Sequence, residues 1–490
     1  MNMRFFNHHE LALSWPETSA RLRPVARALT LLLPIMLAAC ATQSPKPPAA
    51  VAAPMQFKEN GIWKRAGSLP GTAEVSASWW QLFHDPVLDD LQAQLLQGNQ
   101  SLKSAAAQLQ SAQATVRASQ QALWPTLSVG LSGTRSGGPG SASGATGNSV
   151  SLAGNAAWEL DLWGRLAQAG TVAGERAQAS ADDLAAARLS AQATLAQTYF
   201  SMRATEAQQA LLQRTQEADQ KILEMTQARY ASGVAAESDV LQAQTQLKSV
   251  QAQGDEAALQ RALLEHAIAV LLGRVPSGFS IAPTGQLPEP PPVPTFLPST
   301  LLARRPDIAS AERNVAAAYA QIGVADAAFF PDISLSASGA YRNSALGGLL
   351  AAPNALWSLG PSLVATVLDG GARRLASDQA RASADQSVAT YRQTVLTAVQ
   401  EVEDNLMTVD QLDRELLSQR DALQAARRNL QITQSQYQAG TVSFLNVASV
   451  QTAVLGSEAS VLSLRNRQLA AINLLLKNAG GRWAVLAQKN

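Results

Sequence analysis

One cysteine, four histidines and one dense acidic run are the residues of this 490-residue chain whose types could carry chemistry. A thiol could pair or hold a metal, an imidazole could move protons, and clustered carboxylates could bind a cation. Their spacing argues against each use. Cys40 is the only cysteine, so neither a disulfide framework nor a cysteine metal site can form within one chain. His8 and His9 fall in the N-terminal leader, while His84 and His266 lie alone in different elements; His84 follows a Trp-Trp-x-x-Phe cluster and reads as a structural or surface histidine. Glu401-Val402-Glu403-Asp404 sits on an expected helix and reads as a solvated or tunnel-lining face rather than a metal site. With no phosphate loop and no nucleophile elbow, the expectation is a protein that is not an enzyme and that uses no cofactor and no metal.

The elements behind these residues begin with an export signal over 1–39. Arg4, Arg21, Arg23 and Arg27 precede an apolar run, Ala28 to Ala39, that is too short to span a bilayer and is broken by Pro34. Its end, Leu37-Ala38-Ala39-Cys40, resembles the lipobox of bacterial lipoproteins, which implies lipidation of Cys40, with Ala41 compatible with sorting to the outer membrane. Removing the signal takes four of 38 basic and two of 37 acidic residues, leaving a net charge near −1 and no electrostatic case for nucleic acid. Aromatic residues are 5% and charged residues 15% of the chain, a composition suited to thin layers of closely approaching helices. No later segment approaches eighteen uninterrupted apolar residues, so no transmembrane helix is expected and any membrane crossing must use strands.

Self-similarity organises the rest. Trp124-Pro125-Thr126-Leu127-Ser128-Val129 recurs as Phe330-Pro331-Asp332-Ile333-Ser334-Leu335, and Tyr230-Ala231-Ser232-Gly233 recurs as Tyr437-Gln438-Ala439-Gly440. Val240 matches Val447 and Gly273 matches Gly480. The chain therefore divides into the signal, an extended N-terminal segment over 40–84, a first repeat over 85–284, a Pro-rich linker over 285–298, a second repeat over 299–485 and a tail over 486–490. Leu287-Pro288-Glu289-Pro290-Pro291-Pro292-Val293-Pro294 marks the linker, which cannot be helical.

Within each repeat the pattern reads helix, strand, loop, strand, long helix, turn, helix. Asn99 is placed to cap a helix running to about Leu123, and Pro306 and Asp307 suit a first helical turn in the second copy. Leu127, Val129 and Leu131 alternate with small polar residues, as do Leu152 to Leu162 after a Gly- and Ser-rich loop over Gly133 to Asn148. Ile333 to Tyr341 and Trp357 to Val367 repeat the plan. Four strands of about ten residues can cross an outer membrane but cannot close on themselves, so subunits must pool them: a dimer gives eight strands, a trimer twelve. Trp124, Trp158, Trp163 and Trp357 fall near the strand ends, where interfacial aromatic girdles sit.

From Arg165 to Tyr230 good helix formers give a helix about 100 Å long, with Leu184, Ala191, Leu195, Met202, Leu212 and Leu223 as a sparse apolar seam. Gly233 and Gly440 allow the reversals that follow, and Asp239 and Asn446 open the returning helices. These turns should lie at the pole farthest from the strands.

Trp79-Trp80-Gln81-Leu82-Phe83-His84-Asp85-Pro86-Val87-Leu88, Arg304-Arg305-Pro306-Asp307-Ile308, Ile322-Gly323-Val324-Ala325 and Phe329-Phe330-Pro331 together resemble the TolC-like outer-membrane efflux proteins, in particular their lipoprotein branch serving resistance-nodulation-division pumps. The resemblance spans about 60 to 485. It implies an α+β membrane protein, a homotrimer whose twelve-stranded outer-membrane β-barrel is continuous with a twelve-helix periplasmic α-barrel. It also implies a periplasmic membrane-fusion adaptor meeting the turns at Tyr230, Gly233, Val234, Tyr437, Gly440 and Thr441, and an inner-membrane transporter driving efflux. By the same resemblance Leu445 points into the closed aperture, while Asn446 and Ser449 stand where relatives carry acidic rings. Asp239, at the position matched to Asn446, could supply that charge instead; equally, it suits the positive end of its own helix without any pore. A lipid-anchored coiled-coil spacer or adhesin is the competing reading, and it leaves the four strands unexplained.

Overall fold

The computed structural model describes residues 45, 78–137, 147–291 and 305–480. The signal, Cys40 and the tail over 486–490 lie outside them, as do residues 292–304 of the linker region and 138–146 of the first hairpin. The elements are a 3-10 turn at Trp79–Phe83, α1 (Pro86–Gly98), α2 (Gln100–Gln121), β1 (Thr126–Ser136), β2 (Gly147–Glu159), α3 (Arg165–Ala231), α4 (Glu237–Leu271), α5 (Pro306–Ala327), β3 (Asp332–Asn343), β4 (Ala355–Val364), α6 (Ala372–Gln438) and α7 (Phe444–Asn478). The duplication is visible in the lengths: α3 and α6 have 67 residues each, α4 and α7 have 35 each, and α2 and α5 have 22 each.

The chain divides into two units. One, built on residues 118–171 and 319–381, holds an antiparallel sheet of order β1-β2-β3-β4 in which the hairpins of the two repeats join through β2 and β3. The expected loop over Gly133 to Asn148 is shorter than its composition suggests. Gly133, Thr134, Arg135 and Ser136 pair with Val150, Ser149, Asn148 and Gly147, because ladder hydrogen bonds need only backbone and an opposite strand holds even Gly and Ser extended. At the other end β4 stops at Val364, short of the expected Val367. Pro361 lies in β4, an edge strand, where the missing amide is tolerated.

The other unit, built on residues 46–117, 172–318 and 382–490, is helical. Its main core gathers Trp79, Trp80 and Phe83 with Leu88, Leu91 and Leu95 of α1, Leu195, Tyr199, Phe200 and Met202 of α3, and Leu469, Ile472 and Leu475 of α7. Asp85 starts α1 by accepting from the amides of Val87 and Leu88, with Pro86 in the first turn. Asn99 caps α2 as expected: its Oδ1 accepts from the amide of Leu102, and its Nδ2 donates to the Leu271 carbonyl at 2.7 Å. Gly98 and Gly273 let two backbones meet there, since a Cβ on either would lie 2.0 and 2.2 Å from the other segment's carbonyl oxygen.

Two expectations bear on this unit. By length and composition α7 is, among the described residues, the one helix apolar enough to cross a membrane, although the sequence shows no uninterrupted apolar run. Its apolar side chains Leu464, Leu469, Ile472, Leu475 and Leu476 instead fill the main core. The acidic run is partly exposed, with Asp404 open to solvent, and partly paired. Glu401 accepts from Arg305 at 2.9 Å, Val402 is buried, and Arg305 reaches Asp307 at 2.6 Å. Burial opposes ionisation of Asp307, but this guanidinium outweighs it and holds the carboxyl below the usual carboxylate range.

A buried polar chain then ties the end of the first repeat to its helices. Tyr199 donates to Asp85 at 2.6 Å, and Arg203 Nε donates to the Tyr199 hydroxyl oxygen. Arg203 and Arg261 both donate to Glu206, which also accepts from the amide of Thr284. The two arginines reach the carbonyls of Ala282 and Ile281. Burial, and then the bond to Asp85, push the Tyr199 hydroxyl well above its ordinary value.

Candidate functional site: an amphipathic sheet and two paired turns

Side chains opposite one another across a ladder share a face, so the registers sort the sheet. On one face Leu127, Val129 and Leu131 of β1 align with Ala156, Gly154 and Leu152 of β2. These continue into Ala337, Gly339 and Tyr341 of β3, joined by Leu335 beside Trp158, and into Trp357, Leu359 and Leu363 of β4. The opposite face carries Ser128, Ser132, Asn155, Ser151, Ser336, Ser338 and Ser358, with Leu356 and Val364 as its large apolar exceptions. Serines pair across strands on this face, Ser132 with Ser151 and Ser338 with Ser358, each at 2.8 Å. The apolar face is uncovered: Leu127 is 77% exposed and Trp357 83%. An uncovered apolar face on strands of 10 to 13 residues, whose outer strands β1 and β4 each pair on one side only, fits hydrocarbon and further strands rather than water.

Of the four tryptophans expected near the strand ends, Trp158 and Trp357 lie within strands and Trp124 and Trp163 just outside them. Trp124 is exposed just before β1, and Trp158 near the end of β2 donates to the Leu123 carbonyl at 3.0 Å. Trp163 donates to the Pro331 carbonyl and stacks on Phe330 with 5.0 Å between ring centres, so it also packs the strand-to-helix junction. Trp357 lies opposite Gly339, toward the other end of the strands.

In the helical unit the two turns are built alike. Gly233 and Gly440 have φ of 74° and 75°, the left-handed conformation that glycine adopts at least cost. Val234 N donates to Arg229 O and Gly233 N to Tyr230 O; Thr441 N donates to Gln436 O and Gly440 N to Tyr437 O. This double closure satisfies the last carbonyls of α3 and α6. Asp239 and Asn446 are each the third residue of the returning helix, and their amides donate to Ala236 O and Ser443 O. Asp239 is half-buried, whereas Leu445, Asn446 and Ser449 are exposed, with Ser449 Oγ donating to the Leu445 carbonyl. Tyr230, Val234 and Thr441 are exposed too.

The copies part company at the tyrosines. Tyr437, expected among the outward residues of its turn, is 4% exposed and stands edge-on to Phe444 within a cluster of Leu223, Val240, Leu247 and Val447. Arg229 lies over its ring at 4.7 Å and donates to its carbonyl at 3.0 Å, fastening the first turn to the second. The sequence reading missed Arg229 and Phe444. Position 436, matched to Arg229, is Gln in the second copy, so aligning the copies residue by residue carried the signal.

Comparison with known proteins agrees with this geometry. The profile described as outer membrane efflux protein matches residues 91–274 and 297–481. The pyoverdine export outer membrane protein OpmQ of Pseudomonas aeruginosa is 31% identical over 467 residues, covering 92% of this chain and 95% of its own length. The toluene efflux pump outer membrane protein TtgC of Pseudomonas putida is 30% identical, covering 84% and 87%. Among solved structures, the outer-membrane channel OprN superposes with a TM-score of 0.81 at 28% identity over 90% of this chain and 99% of its own. The open state of the Neisseria gonorrhoeae MtrE outer membrane channel gives 0.74 at 26% identity, over 90% and 98%. The duplicated unit, the amphipathic four-stranded sheet and the paired turns are thus those of an outer membrane efflux protein, and the chain belongs to that family.

Proposed function

We propose that the chain is the exit duct of a tripartite efflux pump, passively conducting drugs or other small toxic compounds out of the cell. The single observation that carries this reading is the sheet, apolar on one face and serine-lined on the other, with an open edge at β1 and at β4. Three copies close it into twelve strands, apolar face to lipid and serine face to the lumen, with Trp124, Trp158, Trp163 and Trp357 at the interfaces. An inner-membrane transporter supplies the drive, and a periplasmic adaptor meets the turns around Tyr230, Gly233, Val234, Gly440 and Thr441. Relatives are named for pyoverdine and for toluene. A wide wet lumen leaves cargo choice to the transporter and adaptor. Deleting the gene while the pump and adaptor are expressed should sensitise cells to the pump's substrates, with rescue by the wild-type chain; unchanged sensitivity to every compound would reject the role.

At the aperture, Leu445 and Asn446 narrow the resting opening, with Asp239 in the first turn of one returning helix and Ser449 in the second turn of the other. Arg229 on Tyr437 holds the two turns of one subunit together, so the adaptor opens the duct by spreading them. Leu445→Ala and Arg229→Ala are each expected to raise single-channel conductance several-fold in planar bilayers; unchanged conductance removes that residue from the gate. Cys40 is the lipid anchor in this reading, and Cys40→Ser should lose incorporation of labelled palmitate, which retained label would exclude.

A further inference from the structure

Behind the turns lies a buried carboxyl that the duct reading leaves unused. Asp219 of α3 is 3% exposed; Gln451 of α7 donates its amide to Oδ1, and Oδ2 has no partner. On the turn side Leu223 packs with Val447 and Ala448, and on the other side Leu211 and Leu212 pack with Val250 and Leu455. Asp219 and Gln451 therefore form a polar layer between two apolar clusters that join α3 to α4 and α7. A protonated carboxyl is tolerable there, whereas an ionised one with a bare oxygen is costly until water reaches it.

We propose that protonation of Asp219 tightens the seam between α3 and α7 and that its ionisation loosens it, so that the duct's aperture responds to the pH of the periplasm. The inference rests on the duct reading. Burial pushes the Asp219 carboxyl up to about 6, and the Gln451 amide is the one effect opposing it. The titratable groups on the neighbouring stretches are Glu217, Lys221 and Glu224 of α3, Lys248 of α4, Arg427 and Arg428 of α6 and Glu458 of α7, and none contributes to the shift. Below pH ~4 the carboxyl is protonated whether packed or wet, and the packed seam is at its tightest. As pH rises toward 6 the wet form ionises first, and above 6 the packed form bears the full cost. A carboxyl holding its proton to about 6 when packed and about 4 when wet swings the ratio of loosened to packed tips roughly a hundredfold.

Single-channel recording of the assembled wild-type protein at pH 4.5 and 7.5 should show open probability rising with pH, and Asp219→Asn should stay at the acid level at both. A wild-type channel indifferent to pH, or an Asp219→Asn channel that titrates like wild type, overturns the proposal. Asp239→Asn at the aperture itself should keep the titration; if it abolishes it, the response belongs to the aperture and the proposal falls. Should Asp219→Asn fail to assemble, Gln451→Leu removes the opposing donor and must move the midpoint upward, and an unmoved midpoint overturns the idea. Conducting steps without titration refute this inference alone, whereas no steps at either pH refute the duct reading as well.

Discussion

Leu359→Arg is expected to abolish an oligomer that resists denaturing detergent until boiled, while Ser358→Arg, its neighbour on β4, leaves that oligomer intact. The two positions differ only in the face they occupy. Leu359 lies opposite Ala337 near the middle of the strands on the apolar face, and it is 66% exposed in the isolated subunit. A guanidinium there faces hydrocarbon, at about 2–4 kcal/mol near the bilayer midplane, repeated in every copy of the assembly. Ser358 lies opposite Ser338 on the hydroxyl-lined face, where an arginine reaches lumenal water. Unboiled samples on a denaturing gel read the difference directly. If Leu359→Arg runs as oligomer and Ser358→Arg as monomer, the faces have been assigned the wrong way round.

Glu206→Ala should be the most damaging single substitution in the helical unit. It removes the shared acceptor of Arg203 and Arg261 and frees the amide of Thr284, while the Arg203 side chain remains 2% exposed with its charge uncompensated. Breaking a buried pair from one side costs about 3–5 kcal/mol. Arg427→Ala breaks an ion pair to Glu458 in which the arginine is 60% exposed, and should cost less than about 1 kcal/mol. Thermal unfolding of the detergent-solubilised variants separates the two. Equal midpoints would mean that the Glu206 chain is no structural lock.

How much of this was legible in the sequence follows from the range over which each feature is determined. The limits of α3, the reversal at Gly233 and the cap at Asn99 depend on residues within one or two helical turns, and reading them in order places them within a residue or so. The amphipathic strands were equally visible, because alternation is a property of consecutive residues. The extension of β1 through Gly133–Ser136 was not, since the opposite strand rather than local preference holds it there. Long-range chemistry was hidden for the same reason. Glu401 gave no sign of its partner Arg305, which lies 96 positions away. Tyr437 resembled its outward counterpart Tyr230 until Arg229 and Phe444 enclosed it. The Asp219 and Gln451 pair spans 232 positions, and neither residue is unusual in a helix rich in polar side chains.

The central claim is that four strands per subunit are completed by two further copies of the chain. Native mass measurement of the detergent-solubilised assembly tests it most directly, because strand number follows from subunit number alone. Three chains per particle is the predicted result; two chains, giving eight strands, or a single chain with its β1 and β4 edges open would contradict it.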